Sequence, residues 1–121
     1  MPHTILVVED DQPILELMEL LIRRLGHQPV LVTNGVDALE LVKEETPSLI
    51  LLDIMMMPID GWEFLEKLRG DLKQKDIVVI IFSASPAVEE RMAQLQDKNL
   101  DVLHKPVTYD ELKKKLAQYL D

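Results

Sequence analysis

Short apolar runs rich in β-branched residues alternate along the chain with longer segments in which apolar residues recur every three or four positions. The runs are Ile5 to Val8, Val30 to Thr33, Leu49 to Leu52, Ile77 to Phe82, and a weaker one from Leu100 to Leu103. Unbroken apolar stretches of this length predict strands buried on both faces, as in a parallel sheet. A strand with one wet face would alternate apolar and polar residues instead.

The intervening segments predict helices. Ile14, Met18, Leu21, Ile22 and Leu25 form the first stripe, with Pro13 in the first turn and Gly26 placed to end it. Leu17 and Leu20 exceed that stripe, which points to extra packing, with a partner surface as the alternative. The second helix carries Val36, Leu39 and Val42 behind Asn34 as its cap. Trp62, Leu65 and Leu68 follow, closed by Gly70. Val88, Met92 and Leu95 come after Ser85-Pro86, which suits a capped start. Leu112, Leu116 and Leu120 complete the set, with Thr108 as the cap. Five strands alternating with five helices through short connections predict a single α/β domain over residues 1–121, a parallel sheet with helices on both faces. There is no internal repeat or low-complexity linker.

Composition narrows the function. The chain has 13 Lys+Arg against 22 Asp+Glu, a net charge of −9. Nucleic-acid modules need a clustered basic surface, and the densest basic run here, Lys113-Lys114-Lys115, is flanked by acids. No stretch approaches the ~20 apolar residues of a membrane span. The start, Met1-Pro2-His3-Thr4, lacks the pattern of a signal peptide. These features predict a cytoplasmic protein that binds neither nucleic acid nor membrane. The absence of cysteine removes disulfides, thiol nucleophiles and thiolate metal sites. His3, His27 and His104 are scattered and predict no histidine metal centre.

The acids are not evenly spread. In open parallel sheets, ligands bind beyond the carboxyl ends of the strands. The first strand runs into Glu9-Asp10-Asp11, the third into Asp53, the fourth into Ser83, and the fifth into His104-Lys105-Pro106. Each has a plain explanation alone: helix cap, turn former or loop residue. Those explanations do not account for the coincidence at one crevice. Crowded carboxylates repel one another, so a divalent cation is their natural partner, and an oxygen-only set points to Mg²⁺ or Mn²⁺. A carboxylate beside such a metal can attack a phosphoryl group to give an acyl phosphate. A lysine ammonium and a hydroxyl can then offset charge on the transferred oxygens. Asp53, Lys105 and Ser83 have the required chemistry.

These residues also form a recognisable set. I-L-V-V-E-D-D at 5–11, L-L-D-I-M-M-M-P-I-D-G at 51–61, F-S-A at 82–84 and H-K-P at 104–106 resemble the motifs of response-regulator receiver domains. The resemblance covers essentially the whole chain. It implies a flavodoxin-like, doubly wound five-stranded sheet in the order 2-1-3-4-5, and a phosphoacceptor switch of two-component signalling, not an enzyme with its own turnover. Asp53 would accept the phosphoryl group from a sensor histidine kinase or a phosphotransfer protein. Asp10 and Asp53 would hold Mg²⁺ with the backbone carbonyl of Met55, and Glu9 would act close by through water. Ser83 and Lys105 would contact the phosphoryl group, and Lys105-Pro106 would be a cis peptide. The implied output is a changed contact with a downstream protein, by a monomer or weak dimer.

Three departures from the family pattern stand out. Met57 occupies the usual proline position of the loop after Asp53, with Pro58 behind it. Val102 replaces the usual aromatic residue three before the lysine, so an aromatic rotamer switch cannot operate there. Lys98-Asn99-Leu100 replaces the small pair common before the fifth strand. Met55 and Ser85 hold the two positions that tune water access to the phosphoryl group, and neither is suited to position an attacking water, which predicts slow self-dephosphorylation. Two other readings compete. One is a receiver-like scaffold without chemistry, but none of its acids or its lysine is missing. The other is a Mg²⁺-dependent phosphatase with an aspartate nucleophile, but Met55 stands where its second acid would be.

Overall fold

The computed structural model describes residues 2–120. Its strands are β1 (Thr4–Val8), β2 (Gln28–Val32), β3 (Leu49–Asp53), β4 (Val78–Ser83) and β5 (Leu100–His104). They alternate with α1 (Gln12–Arg24), α2 (Gly35–Glu44), α3 (Gly61–Arg69), α4 (Val88–Leu95) and α5 (Tyr109–Tyr119). The sheet is wholly parallel in the order β2-β1-β3-β4-β5, the flavodoxin-like arrangement. Among the described residues no helix is long and apolar enough to cross a membrane.

The unbroken apolar runs are explained by a core on each face of the sheet. Successive side chains of a strand point to opposite faces. Ile5, Val7, Leu49, Leu51, Ile80 and Phe82 pack on one side against Leu15, Met18, Ile22 and Leu112 of α1 and α5. Leu6, Val8, Ile50, Leu52 and Val79 pack on the other against Leu39, Val42, Phe64 and Leu68 of α2 and α3. Both faces are dry, so the sheet is rigid where β1 and β3 run through its centre.

The caps follow sequence chemistry. Asp11, Asn34 and Asp60 each accept from a backbone N–H in the first turn of α1, α2 and α3. Thr108 and Glu111 close a reciprocal capping box on α5. Gly26 adopts a φ of +88°, which only glycine takes without strain, and lets the chain turn out of α1.

The fourth helix differs from the sequence expectation. Ser85-Pro86 does not cap it: Ala87 is the N-cap residue and makes no side-chain cap bond. Of its predicted stripe only Val88 is buried, Met92 is half-buried and Leu95 is exposed. The helix is further tied by Arg91 over the ring of Trp62, 5.0 Å from its centroid, and by the pair of Glu89 with His104 at 2.8 Å. Val36, expected in the α2 stripe, is also exposed, and Gly35 and Ala38 take the buried positions. Leu17 and Leu20 are 46% and 65% exposed and add nothing to the core. Two of the three histidines meet: His3 and His27 lie with ring centroids 5.5 Å apart, and the His3 backbone N–H donates to His27 Nδ1, whereas His104 stands apart on Glu89.

One side chain that the apolar pattern could not reveal organises the amino-terminal edge. Arg69, at the end of α3, donates to Asp97 at 2.9 Å and to the carbonyls of Gln74, Ile77 and Asn99 at 2.7–3.1 Å. Arg69 and Asp97 are mostly shielded from water, so removing the guanidinium strands several acceptors at once. Arg69→Ala should therefore lower unfolding free energy by about 3 kcal/mol. Arg69→Lys should recover only part, since an ammonium cannot reach all four acceptors. Urea unfolding of the three proteins checks both statements.

Candidate functional site

Strand periodicity sets which groups meet at the carboxyl edge of the sheet. The series Ile5, Val7 continues to Glu9, and Leu49, Leu51 continues to Asp53, both on the α1/α5 face. Leu103 faces the same way, and Lys105 follows two residues on. Ser83 belongs to the opposite parity, with Val79 and Ile81. The edge thus carries two carboxylates and an ammonium on one side and a hydroxyl on the other.

The distances bear this out. Glu9, Asp10 and Asp53 each offer a carboxylate oxygen within 4.8 Å of the others. Lys105 Nζ donates to Glu9 at 3.1 Å and to Asp53 at 3.5 Å, bridging residues from β3 and the ends of β1 and β5. Glu9 has no solvent exposure, Asp53 is buried, and Asp10 is open to water. Asp11, next in sequence, instead caps α1, the plain reading open to an acid at that position. The Met55 backbone N–H donates to Asp53 at 3.3 Å, and the Asp10 N–H to Glu9 at 3.1 Å.

The loop after β3 is held close to α3. The Gly61 N–H donates to Ile54 at 2.9 Å. A Cβ at residue 61 would stand 2.8 Å from both the Asp53 carbonyl oxygen and the Ile54 Cα, so only glycine allows this approach. Met57-Pro58 is cis, a feature of the altered loop not foreseen from sequence, and Lys105-Pro106 is cis as expected. Met56 is buried, whereas Met55 and Met57 are 77% and 76% exposed, so only the middle methionine packs the loop.

Ser83 is buried, and its hydroxyl accepts from the Ser85 N–H at 3.1 Å. Ser83, Ser85 and Met55 border one open pocket of about 370 Å³, with Ile54, Trp62 and Val88 among its walls. Val102 fills space beside Ile54, Ile81 and Val88. Phe82 lies beneath the Lys105 ammonium, a contact absent from the sequence reading, although the period of two on β4 would have placed its ring on that face.

Burial, and next the hydrogen bond with Asp53, push the Glu9 carboxyl up to about 8, against the downward pull of Lys105. The ordinary value is 4.5. Between these values the folded protein binds more protons than the unfolded chain. In EDTA, this stabilisation should be full below about 4.5 and lost as pH rises through about 8. Glu9→Gln should flatten that slope, and urea unfolding across the window measures it. An equal slope in both proteins would contradict the assignment.

The family model for the response regulator receiver domain matches residues 5–117. The response regulator MprA of Mycobacterium sp. strain KMS is 36% identical over 114 residues, 93% of this chain and 48% of that protein. The chain spans about half the length of the curated relatives it matches, and about a quarter of the transcriptional regulatory protein ZraR of Klebsiella oxytoca. Among solved structures, the N-terminal domain of a response regulator receiver protein from Methanoculleus marisnigri JR1 aligns with a TM-score of 0.79 and 34% identity, covering 98% of this chain and 96% of that one. The receiver domain of a sensor histidine kinase from Pseudomonas aeruginosa PAO1 aligns at 0.86 and 26% identity over 98% of each chain, and that structure has a magnesium ion coordinated in its active site cleft. With the sheet order, the acidic edge and these matches in agreement, the chain belongs to the response regulator receiver domain family.

Proposed function

We propose that residues 1–121 act as one receiver unit whose phosphoacceptor is Asp53, charged by a phosphohistidine of a sensor kinase or phosphotransfer protein. The observation that carries this reading is the meeting of Asp53 with Glu9 and Asp10 within 4.8 Å, bridged by Lys105. The donor set fits a hard divalent cation, because it is all oxygen, carries surplus negative charge and opens to water at Asp10. Asp10, Asp53 and the Met55 carbonyl would hold Mg²⁺ or Mn²⁺, with Glu9 acting through water. When bound, the ion supplies positive charge that offsets charge developing on the phosphoryl oxygens.

The chain's own residues do the rest. An Asp53 carboxylate oxygen attacks phosphorus, the bond to the donor nitrogen breaks, and an acyl phosphate remains. Lys105 turns from its carboxylate partners toward a phosphoryl oxygen. The Ser83 hydroxyl accepts from Ser85 and so keeps its own proton to donate to the same group. Rearrangement at Ser83 and Lys105 then reaches α4, whose slight burial makes it the helix most easily displaced. The product is a changed contact with a downstream protein, and the unit is a switch, not a catalyst of a separate substrate's turnover.

Incubation with acetyl phosphate and Mg²⁺ should place a hydroxylamine-sensitive phosphoryl group on the wild type and none on Asp53→Ala. Absence of label on both, or equal label on both, would sink the reading. Millimolar Mg²⁺ should raise the melting temperature relative to EDTA, and Asp10→Asn should abolish most of that rise. Met55→Asn should shorten the lifetime of the labelled form, since an amide at that position can orient water, and an unchanged decay would remove Met55 from the account.

A further inference from the structure

Phe82 lies one residue before Ser83, faces the α1/α5 side of the sheet and has no solvent exposure. Its register neighbours are Asp53 on β3 and Leu103 on β5. This places the ring on the face that Lys105 occupies, and the lysine ammonium stands over it, 5.0 Å from the centroid. An ammonium at that distance is drawn to the negative face of the ring, more strongly where water is thin. The Lys105 side chain is 22% exposed, and the Glu9 side chain beside it is fully covered.

The three groups that hold this ammonium differ in kind. Glu9 and Asp53 hold it through carboxyl oxygens at 3.1 and 3.5 Å, and that hold weakens when either is taken by a cation or a covalent group. The ring has no charge to lose. Leucine would fill the same apolar position against Leu103 and the α1/α5 core, so burial alone does not require an aromatic side chain there. We propose that Phe82 is a positioning residue for phosphoryl transfer: its ring keeps the Lys105 ammonium over the carboxyl edge while the carboxylate partners change state. The inference rests on Asp53 being the phosphoacceptor.

The contact is first tested in the wild type by NMR. The Lys105 ε-methylene protons should be displaced upfield from those of the other lysines by the ring current, in EDTA and in Mg²⁺ alike. Ordinary positions would overturn the proposal without any variant having to fold. Phe82→Leu should then slow labelling by acetyl phosphate by about threefold to thirtyfold. In a Lys105→Met background the same substitution should have no further effect. An equal slowing in both backgrounds, or none in either, would make Phe82 a packing residue only and overturn the proposal. Failure of the wild type to label would instead defeat the phosphoacceptor reading and the role of Phe82 with it, whereas the ring-current shift reports the contact independently.

Discussion

Carboxylates gathered at the end of a parallel sheet cannot all remain ionised in poor contact with water without a counter-charge. Glu9 and Asp53 meet that constraint in two ways. Lys105 reaches in from beyond β5 to bridge them, and burial pushes the Glu9 carboxyl up to about 8. Both are provisional, because a cation or a phosphoryl group at the edge competes for the same oxygens and the same ammonium. The site is therefore poised by its own electrostatics.

The architecture supplies rigidity on one side of that balance and freedom on the other. The carboxylates extend from β1 and β3, central strands with dry faces, and Gly61 clamps the following loop against Asp53 and Ile54. Charges carried on such strands cannot relax by moving apart. Lys105 and Ser83 belong to the half of the sheet that borders α4, the helix with one buried residue. Strand order thus sets the carboxylates on the rigid centre of the sheet and Lys105 and Ser83 beside its least buried helix.

Much of this was legible in the chain. The five runs located the strands to within two residues; for β1, β3 and β4 burial on both faces leaves no polar interruption, whereas Asp101 breaks the run of the half-buried β5. Asn34, Thr108, Gly26 and Gly70 marked helix ends through chemistry that is local to a turn. The α4 reading failed for the converse reason. Val88, Met92 and Leu95 have helical spacing, but spacing does not say whether a core lies beneath, and here only Val88 finds one. Arg69 escaped notice because its four acceptors come from two connections, Gln74 and Ile77 before β4 and Asp97 and Asn99 before β5.

Sequence alone determined the layer order, the parallel sheet and the identity of the acids at its edge, since period, capping chemistry and strand-end position are properties of short stretches. Tertiary structure alone decided how those acids are balanced. The upward push on the Glu9 carboxyl, the Lys105 bridge, the Phe82 ring beneath it and the close approach of Gly61 all depend on groups far apart in the chain. Burial and distance exist only after folding, and electrostatic balance is a function of both.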